Sequence, residues 1–186
     1  MFAQRSFLRI FVLTPGFFQT HYLLKTPVSK ETGSREFFMI MRNTFIAYIF
    51  VLFQFICLIY IGMSGSILSV SVNGLLVQVA GLVLGVSAIL QMRIGNFNVA
   101  PLPKAGGELI TTGIYSVLRH PMYLAQLLVV GPLVVDYFTW PRLIALLILL
   151  IDLILKLHFE ENNLKRQFAE YEEYMHKTWR LVPYFY

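Results

Sequence analysis

The sequence predicts an all-α fold: a polytopic membrane bundle of about four transmembrane helices, with a cytoplasmic C-terminal helix and an interfacial N-terminal segment. Three observations carry that expectation. Of 186 residues, 57% are hydrophobic and only 13% charged, against about 25% charged in an ordinary soluble domain, and mean hydropathy is +0.66. The apolar residues are gathered into four runs. Lysine and arginine crowd the segments that would lie on one side of a bilayer.

Crossing about 30 Å of hydrocarbon takes roughly 20 helical residues. Residues 43–62 and 69–90 meet that length, the second with no charge at all. Two shorter runs, 121–138 and 143–157, are read as a tight hairpin. Its turn carries Trp140 and Pro141, which suit an aromatic anchor at the membrane interface. Ahead of the first span, Arg5 and Arg9 followed by Phe11, Val12 and Leu13 resemble the start of a signal sequence. Pro15 and Gly16 interrupt the run and no small-x-small cleavage pattern follows. Residues 1–42 are therefore expected to form an interfacial or cytoplasmic segment, and residues 43–186 the membrane-embedded domain.

Arg5, Arg9, Lys25, Lys30, Arg35 and Arg42 precede the first span, whereas the loop 63–68 has no charge. The positive-inside rule then puts the N-terminus in the cytoplasm. The same rule places the 91–119 connection, with Arg93, Lys104 and Arg119, and the segment after the last span on that side too. The expected location is the plasma membrane of a prokaryote, with both termini cytoplasmic. The basic pI near 9.4 follows from this topology and from attraction to anionic headgroups, so no nucleic-acid partner is expected. A single cysteine, Cys57, lies inside the first span and supports neither a disulfide nor a cysteine-based metal site.

In the second span Gly81 and Gly85 form a small-xxx-small pair that lets another helix approach closely. The expected use is packing within the chain, with a homodimer contact as the alternative. The connection 91–119 is rich in Asn, Pro and Gly and reads as an ordered loop. Residues 158–186 read as a helix that continues the fourth span until Pro183, with Leu164, Phe168, Tyr171 and Tyr174 on one face.

Two constellations carry chemistry. Asp152, Lys156 and Glu160 stand four residues apart on one helix face, three ionisable groups at or near membrane depth. Such groups line a cavity or meet a partner; the plainer reading is an Asp152 to Lys156 salt bridge with the lysine snorkelling. Glu160 and Glu161 add negative charge where a cationic ligand would sit. The second constellation runs from Leu109 to Tyr123 and contains Gly113, Tyr115 and the unbroken Arg119-His120-Pro121-Met122-Tyr123. Taken alone, His120 beside Pro121 is a residue at a helix start. His21, His158 and His176 have no metal-like spacing.

The second constellation resembles the signature of the isoprenylcysteine carboxyl methyltransferase family of integral membrane enzymes and its bacterial relatives. A further block, Glu160, Glu161, Leu164, Phe168, Tyr171, Tyr174, Arg180 and Pro183, resembles the family's C-terminal motif. The resemblance implies S-adenosylmethionine as cosubstrate, with no metal. It assigns cofactor binding to Gly107, Glu108, Leu109, Ile110, Tyr115, His120, Pro121, Met122, Tyr123, Glu160 and Glu161. Lys156 falls where the family has an arginine that holds the substrate carboxylate. The resemblance thus gives Lys156 and Glu160 catalytic roles, and Lys156 and Arg180 contact with a lipophilic acceptor.

This chain departs from the family pattern in three places. Lysine neutralises a carboxylate as a point charge but lacks arginine's two-pronged geometry. Ala169 replaces a glycine, and one residue fewer separates Phe168 from Tyr171, which on a continuous helix turns the later tyrosines by about 100°. The expected activity is methyl transfer to a lipophilic acceptor, a carboxylate on a prenyl-like tail being one form and a phospholipid amine another. A nicotinamide-dependent membrane reductase of sterol-like substrates is the alternative from a different enzyme class, and a non-catalytic membrane scaffold is the third.

Overall fold

The computed structural model describes residues 30–96, 100–102 and 107–186. The expectations for the N-terminal segment before Lys30, for His21 and for Asn98, Pro103, Lys104 and Gly106 lie outside the described residues. The chain divides into two compact units, Met1–Met41 and Arg42–Tyr186, and the site described below lies in the second.

Among the described residues five helices follow in order, α1 (Lys30–Met63), α2 (Val72–Asn96), α3 (Pro121–Asp136), α4 (Trp140–Gln167) and α5 (Tyr171–Lys177), with a 3-10 turn at Gly113–Ser116 before α3. The described residues contain no strand. Among the described residues two stretches are long and apolar enough to cross a membrane, Met41–Met63 in α1 and Val72–Met92 in α2. The other two expected spans differ from them. α3 has 16 residues, short of the roughly 20 a straight crossing takes, and α4 has Arg142, Asp152 and Lys156 among its buried residues.

The polarity of α1 and α2 is that of lipid-facing helices. Their outward side chains are large and apolar, among them Phe45, Leu52, Ile56, Leu76, Val83 and Leu90, whereas the polar Gln54 and Gln78 are buried. In water that arrangement would expose a long apolar surface; in hydrocarbon, polar groups must find partners inside the protein. Gln78 does so completely, its Oε1 accepting from the Ser69 amide and its Nε2 donating to the Ile67 and Val129 carbonyls.

α2 lies tightly on α3 because of glycine. A Cβ on Gly81 would stand 2.8 Å from Leu128 Cβ and 3.0 Å from the Ala125 carbonyl, and one on Gly85 would stand 3.3 Å from Ala125 Cβ. The small-residue face of α2 thus meets α3 of the same chain. The hairpin between α3 and α4 turns at Tyr137–Thr139, where the Thr139 hydroxyl caps α4 by accepting from the Arg142 amide. Cys57 and Ile61 of α1, Val130, Leu133 and Val134 of α3, and Leu149, Leu153 and Leu157 of α4 form one core cluster.

The expected single helix over 158–186 is instead two helices and an irregular tail that turns back on itself at residues 181–186. α4 runs ten residues beyond the expected end of its span and stops at Phe168, whose backbone is extended (φ −121°, ψ 116°). No glycine or proline stands at 168–170, so the break has a tertiary cause. It lets α5 turn in and bury Tyr171 and Tyr174, with the Tyr174 hydroxyl donating to the Tyr115 carbonyl at 2.6 Å. The tail then pairs with the chain ahead of α3: Trp179 N donates to Val117 O, Arg119 N to Trp179 O and His120 N to Arg180 O.

Candidate active site

A cavity of about 530 Å³ opens among α1, α2, α3, α4, α5 and the 107–120 connection, within the roughly 300–1,000 Å³ that small-molecule sites occupy. It has two chemically distinct parts. The polar end is walled by the 107–110 backbone, Tyr115, His120, Tyr123, Lys156 and Glu160, with Leu164, Phe168, Tyr171 and Tyr174 closing the far side. The apolar arm runs between α1, α2 and α3 past Leu58, Gly81, Gly85, Ala125 and Val129. Phe55 on α1 and Leu82, Val86 and Ile89 on α2 line this arm and are themselves exposed. The arm therefore reaches the lateral surface of the bundle between the two long apolar helices.

The polar end is built by α3 and α4 together. Pro121 starts α3, its missing amide costing nothing in the first turn, and this delivers His120 and Tyr123 to the same face with their rings parallel at 5.3 Å. From α4, Glu160 Oε2 accepts a hydrogen bond of 2.6 Å from the Tyr123 hydroxyl and lies 3.6 Å from His120 Nδ1. One helical turn earlier, Lys156 Nζ stands 5.3 Å from the centre of the Tyr123 ring, a cation over an aromatic face. Glu160 keeps 24% of its side chain accessible, while that of Glu161 is 3% accessible. The first carboxylate faces the cavity and the second faces the protein.

Glu161 is the anchor behind the site. Its carboxylate meets Arg119 Nε at 2.8 Å, Arg180 Nε at 3.3 Å and His120 Nε2 at 3.4 Å. Burial alone would raise its pKa, but the contact and charge of His120 and the Arg119 guanidinium outweigh burial and hold it down at about 2. The His120 Nε2 to Glu161 approach has the distance of a hydrogen bond without its alignment, leaving that buried nitrogen unsatisfied. Arg119 also donates to the Met175 and Thr178 carbonyls at 2.9 and 2.6 Å. One guanidinium thereby ties α4, the end of α5 and the start of α3 together.

Three phenols complete the wall and all stay protonated. Burial first, then the Glu160 charge, pushes Tyr115 well above its ordinary value. Burial and the charges of Glu161 and Glu160 do the same to Tyr171, and burial raises Tyr174 to about 12. Tyr115 and Tyr174 donate to the Ala88 and Tyr115 carbonyls. The buried Tyr171 hydroxyl has no partner among the described residues, a polar group awaiting one. Gly113 places Tyr115: its φ of +62° favours glycine, and a Cβ there would collide with the Gln91 side chain that accepts from the Ile114 amide.

Of the residues expected from sequence, Gly107, Glu108, Leu109, Ile110, Tyr115, His120, Pro121, Met122, Tyr123, Lys156 and Glu160 all line this one cavity. Glu161 and Arg180 do not; they form the ion cluster behind His120, where Arg180 also reaches His158 and Tyr186. Asp152 is buried one turn before Lys156 without lining the cavity, and its Oδ2 has no partner among the described residues. The sequence reading missed Gln54 and Gln126, which line the cavity and bond to each other, and it gave Arg119 no role. A glutamine inside each of two apolar runs was the available signal. Among the described residues no group of three or more His, Cys, Asp or Glu side chains is arranged to hold a metal ion.

Apolar helices that turn polar groups inward, with a charged pocket at one end of the bundle, define a membrane protein with a small-molecule site. The phospholipid methyltransferase family profile matches residues 69–171, which takes in α2, the 107–120 connection, α3 and α4, and the chain belongs to that family. It is accordingly a membrane methyltransferase. No curated protein matches the chain.

Proposed function

We propose that the protein transfers a methyl group from S-adenosylmethionine to a nucleophile on a lipophilic acceptor drawn sideways from the bilayer. The observation that carries this reading is the Tyr123 to Glu160 hydrogen bond inside a cavity that continues into an apolar arm reaching the lateral surface. The donor is a cation with an ammonium, a carboxylate and an aromatic base. The polar end offers a partner for each: the accessible Glu160 carboxylate for the ammonium, the unpartnered Tyr171 hydroxyl and the Lys156 charge for anionic oxygen, and Phe168 with Tyr174 for the base. When bound, the donor supplies an electrophilic methyl group on a sulfonium.

The chain's contribution is positioning and exclusion of water. Glu160, held by Tyr123, orients the cationic group. The faces of Tyr115 and Tyr123 favour positive charge beside them, and α5 covers the polar end so that a nucleophile entering from the arm meets the donor with few waters present.

In the same reading α3 and residues 143–157 of α4 are the third and fourth spans, α3 crossing as a short helix in a locally thinned bilayer. The site then lies at the cytoplasmic face of a prokaryotic plasma membrane, where a water-soluble donor and a membrane-borne acceptor meet. The test is transfer of label from methyl-labelled S-adenosylmethionine to phosphatidylethanolamine and to a farnesylated cysteine, each in mixed micelles with the purified chain. Label in either acceptor that is lost in Glu160→Gln supports the reading; no transfer to any lipid of a total membrane extract contradicts it.

A further inference from the structure

Lys156 is 2% exposed, and its Nζ lies 2.5 Å from Gln54 Oε1. An ammonium can only donate, so this contact dictates how the Gln54 amide is turned: oxygen toward Lys156, nitrogen away from it. That nitrogen donates to Gln126 Oε1 at 2.8 Å, which turns the Gln126 amide in the same sense. The three side chains come from α4, α1 and α3, and all three line the cavity. They form a directed chain whose cationic end is Lys156 and whose last donor, Gln126 Nε2, takes no partner among the described residues. Gln126 stands one turn along α3 from Tyr123, with Val129 and Val130 on the next turn. The donor is thus placed where the polar end gives way to the apolar arm.

We infer that Gln126 is the residue that reads the acceptor, donating through Nε2 to an oxygen of the acceptor's head while its tail occupies the arm. The Lys156 charge acts through Gln54, polarising both amides so that the terminal N–H is a stronger donor. Oxygen-headed amphiphiles therefore bind, whether the oxygen belongs to a carboxylate or to a phosphate, and donor-only heads such as an ammonium without a neighbouring oxygen do not. This rests on the transferase reading for what happens next, but recognition of the head is testable without transfer.

An interhelical bridge of two glutamines also holds membrane helices together, and one substitution separates the two roles. Gln126→Glu keeps the oxygen that accepts from Gln54 Nε2 and replaces the cavity-facing donor with an acceptor. Binding of labelled dodecanoate, dodecyl phosphate and dodecylamine to the full chain in maltoside micelles is the measurement, with S-adenosylhomocysteine affinity and thermal midpoint followed in parallel. The expected result is that the wild type binds an oxygen-headed probe about tenfold or more tightly than dodecylamine, the worth of one hydrogen bond to a charged group. Gln126→Glu then erases that preference while leaving the midpoint and the S-adenosylhomocysteine affinity unchanged. Tighter binding of dodecanoate than of dodecyl phosphate assigns the head to a carboxylate, and the reverse order to a phosphate. A wild type without the preference, or a Gln126→Glu variant that keeps it, overturns the inference. Failure to bind S-adenosylhomocysteine with the preference intact removes the transferase reading and leaves Gln126 as the recognition residue.

Discussion

The two ends of the α3–α4 hairpin both bury charge, and they use it differently. Where α3 ends and α4 begins, charge serves helix termini. The Asp136 carboxylate accepts from the Ser69 hydroxyl and from the Val70 and Ser71 amides just ahead of α2, and the Arg142 guanidinium donates to the Ile61 carbonyl in the last turn of α1. Each charge there opposes a helix dipole end of the opposite sign, and neither residue lines the cavity. At the other end, about 24 Å away along α3 at 1.5 Å per residue, Glu161 is enclosed by Arg119, Arg180 and His120, while Glu160 leaves part of its carboxylate facing open space. Buried charge alone does not mark a site in a membrane protein. Charge whose partners leave a polar atom turned into a cavity does.

By that contrast, substitutions at the two ends separate stability from binding. The largest effect is expected from acid. Glu161 titrates at about 2 in the folded protein against an ordinary value of 4.5, so its stabilisation is complete above pH 4.5 and is lost as the pH falls from there toward 2. The loss is on the order of 3 kcal/mol, read as a fall in unfolding midpoint that is shallower in Glu161→Gln over that window. Next, Glu160→Gln is expected to lower kcat/KM by about 100-fold, the value of a hydrogen-bonded charge, with little change in thermal midpoint. Arg142→Met should do the reverse. Taking the guanidinium from the Ile61 carbonyl, which keeps only the longer bond of 3.4 Å from the Ser64 hydroxyl, lowers stability by about 1–3 kcal/mol, while S-adenosylhomocysteine affinity in the folded fraction stays as in wild type. The smallest change is expected from Gly81→Ala, whose Cβ meets Leu128 and the Ala125 carbonyl; prising α2 from α3 costs about 1–2 kcal/mol, and loosens the apolar arm without touching the polar end. Urea or detergent titration checks both stability values.

Much of this site was readable in the sequence because its parts are local. His120 to Tyr123 is one unbroken stretch, and Glu160 stands one turn from Lys156 on a single helix, so a linear motif and a period of 3.6 residues bring them into view. Gln54 and Gln126 were not readable in the same way. They are 72 residues apart, each a lone polar residue in an apolar run, and acquire meaning only when α1, α3 and α4 converge on Lys156. The helix break at Phe168 was hidden for a related reason: no glycine or proline marks it, and the burial of Tyr171 and Tyr174 beneath Arg119 and Tyr115 imposes it from outside the segment. The continuation of α4 past residue 157 was legible from its polar and apolar periodicity, whereas the pairing of the Trp179–Arg180 backbone with Val117–His120 left no local trace at all.

The most direct measurement is calorimetry of the purified full chain with S-adenosylhomocysteine and, separately, with NADPH. Saturable binding of S-adenosylhomocysteine that Glu160→Gln weakens about tenfold or more, with no binding of NADPH, is the predicted result. Binding of NADPH without S-adenosylhomocysteine would contradict the assignment of the polar end to a methyl donor.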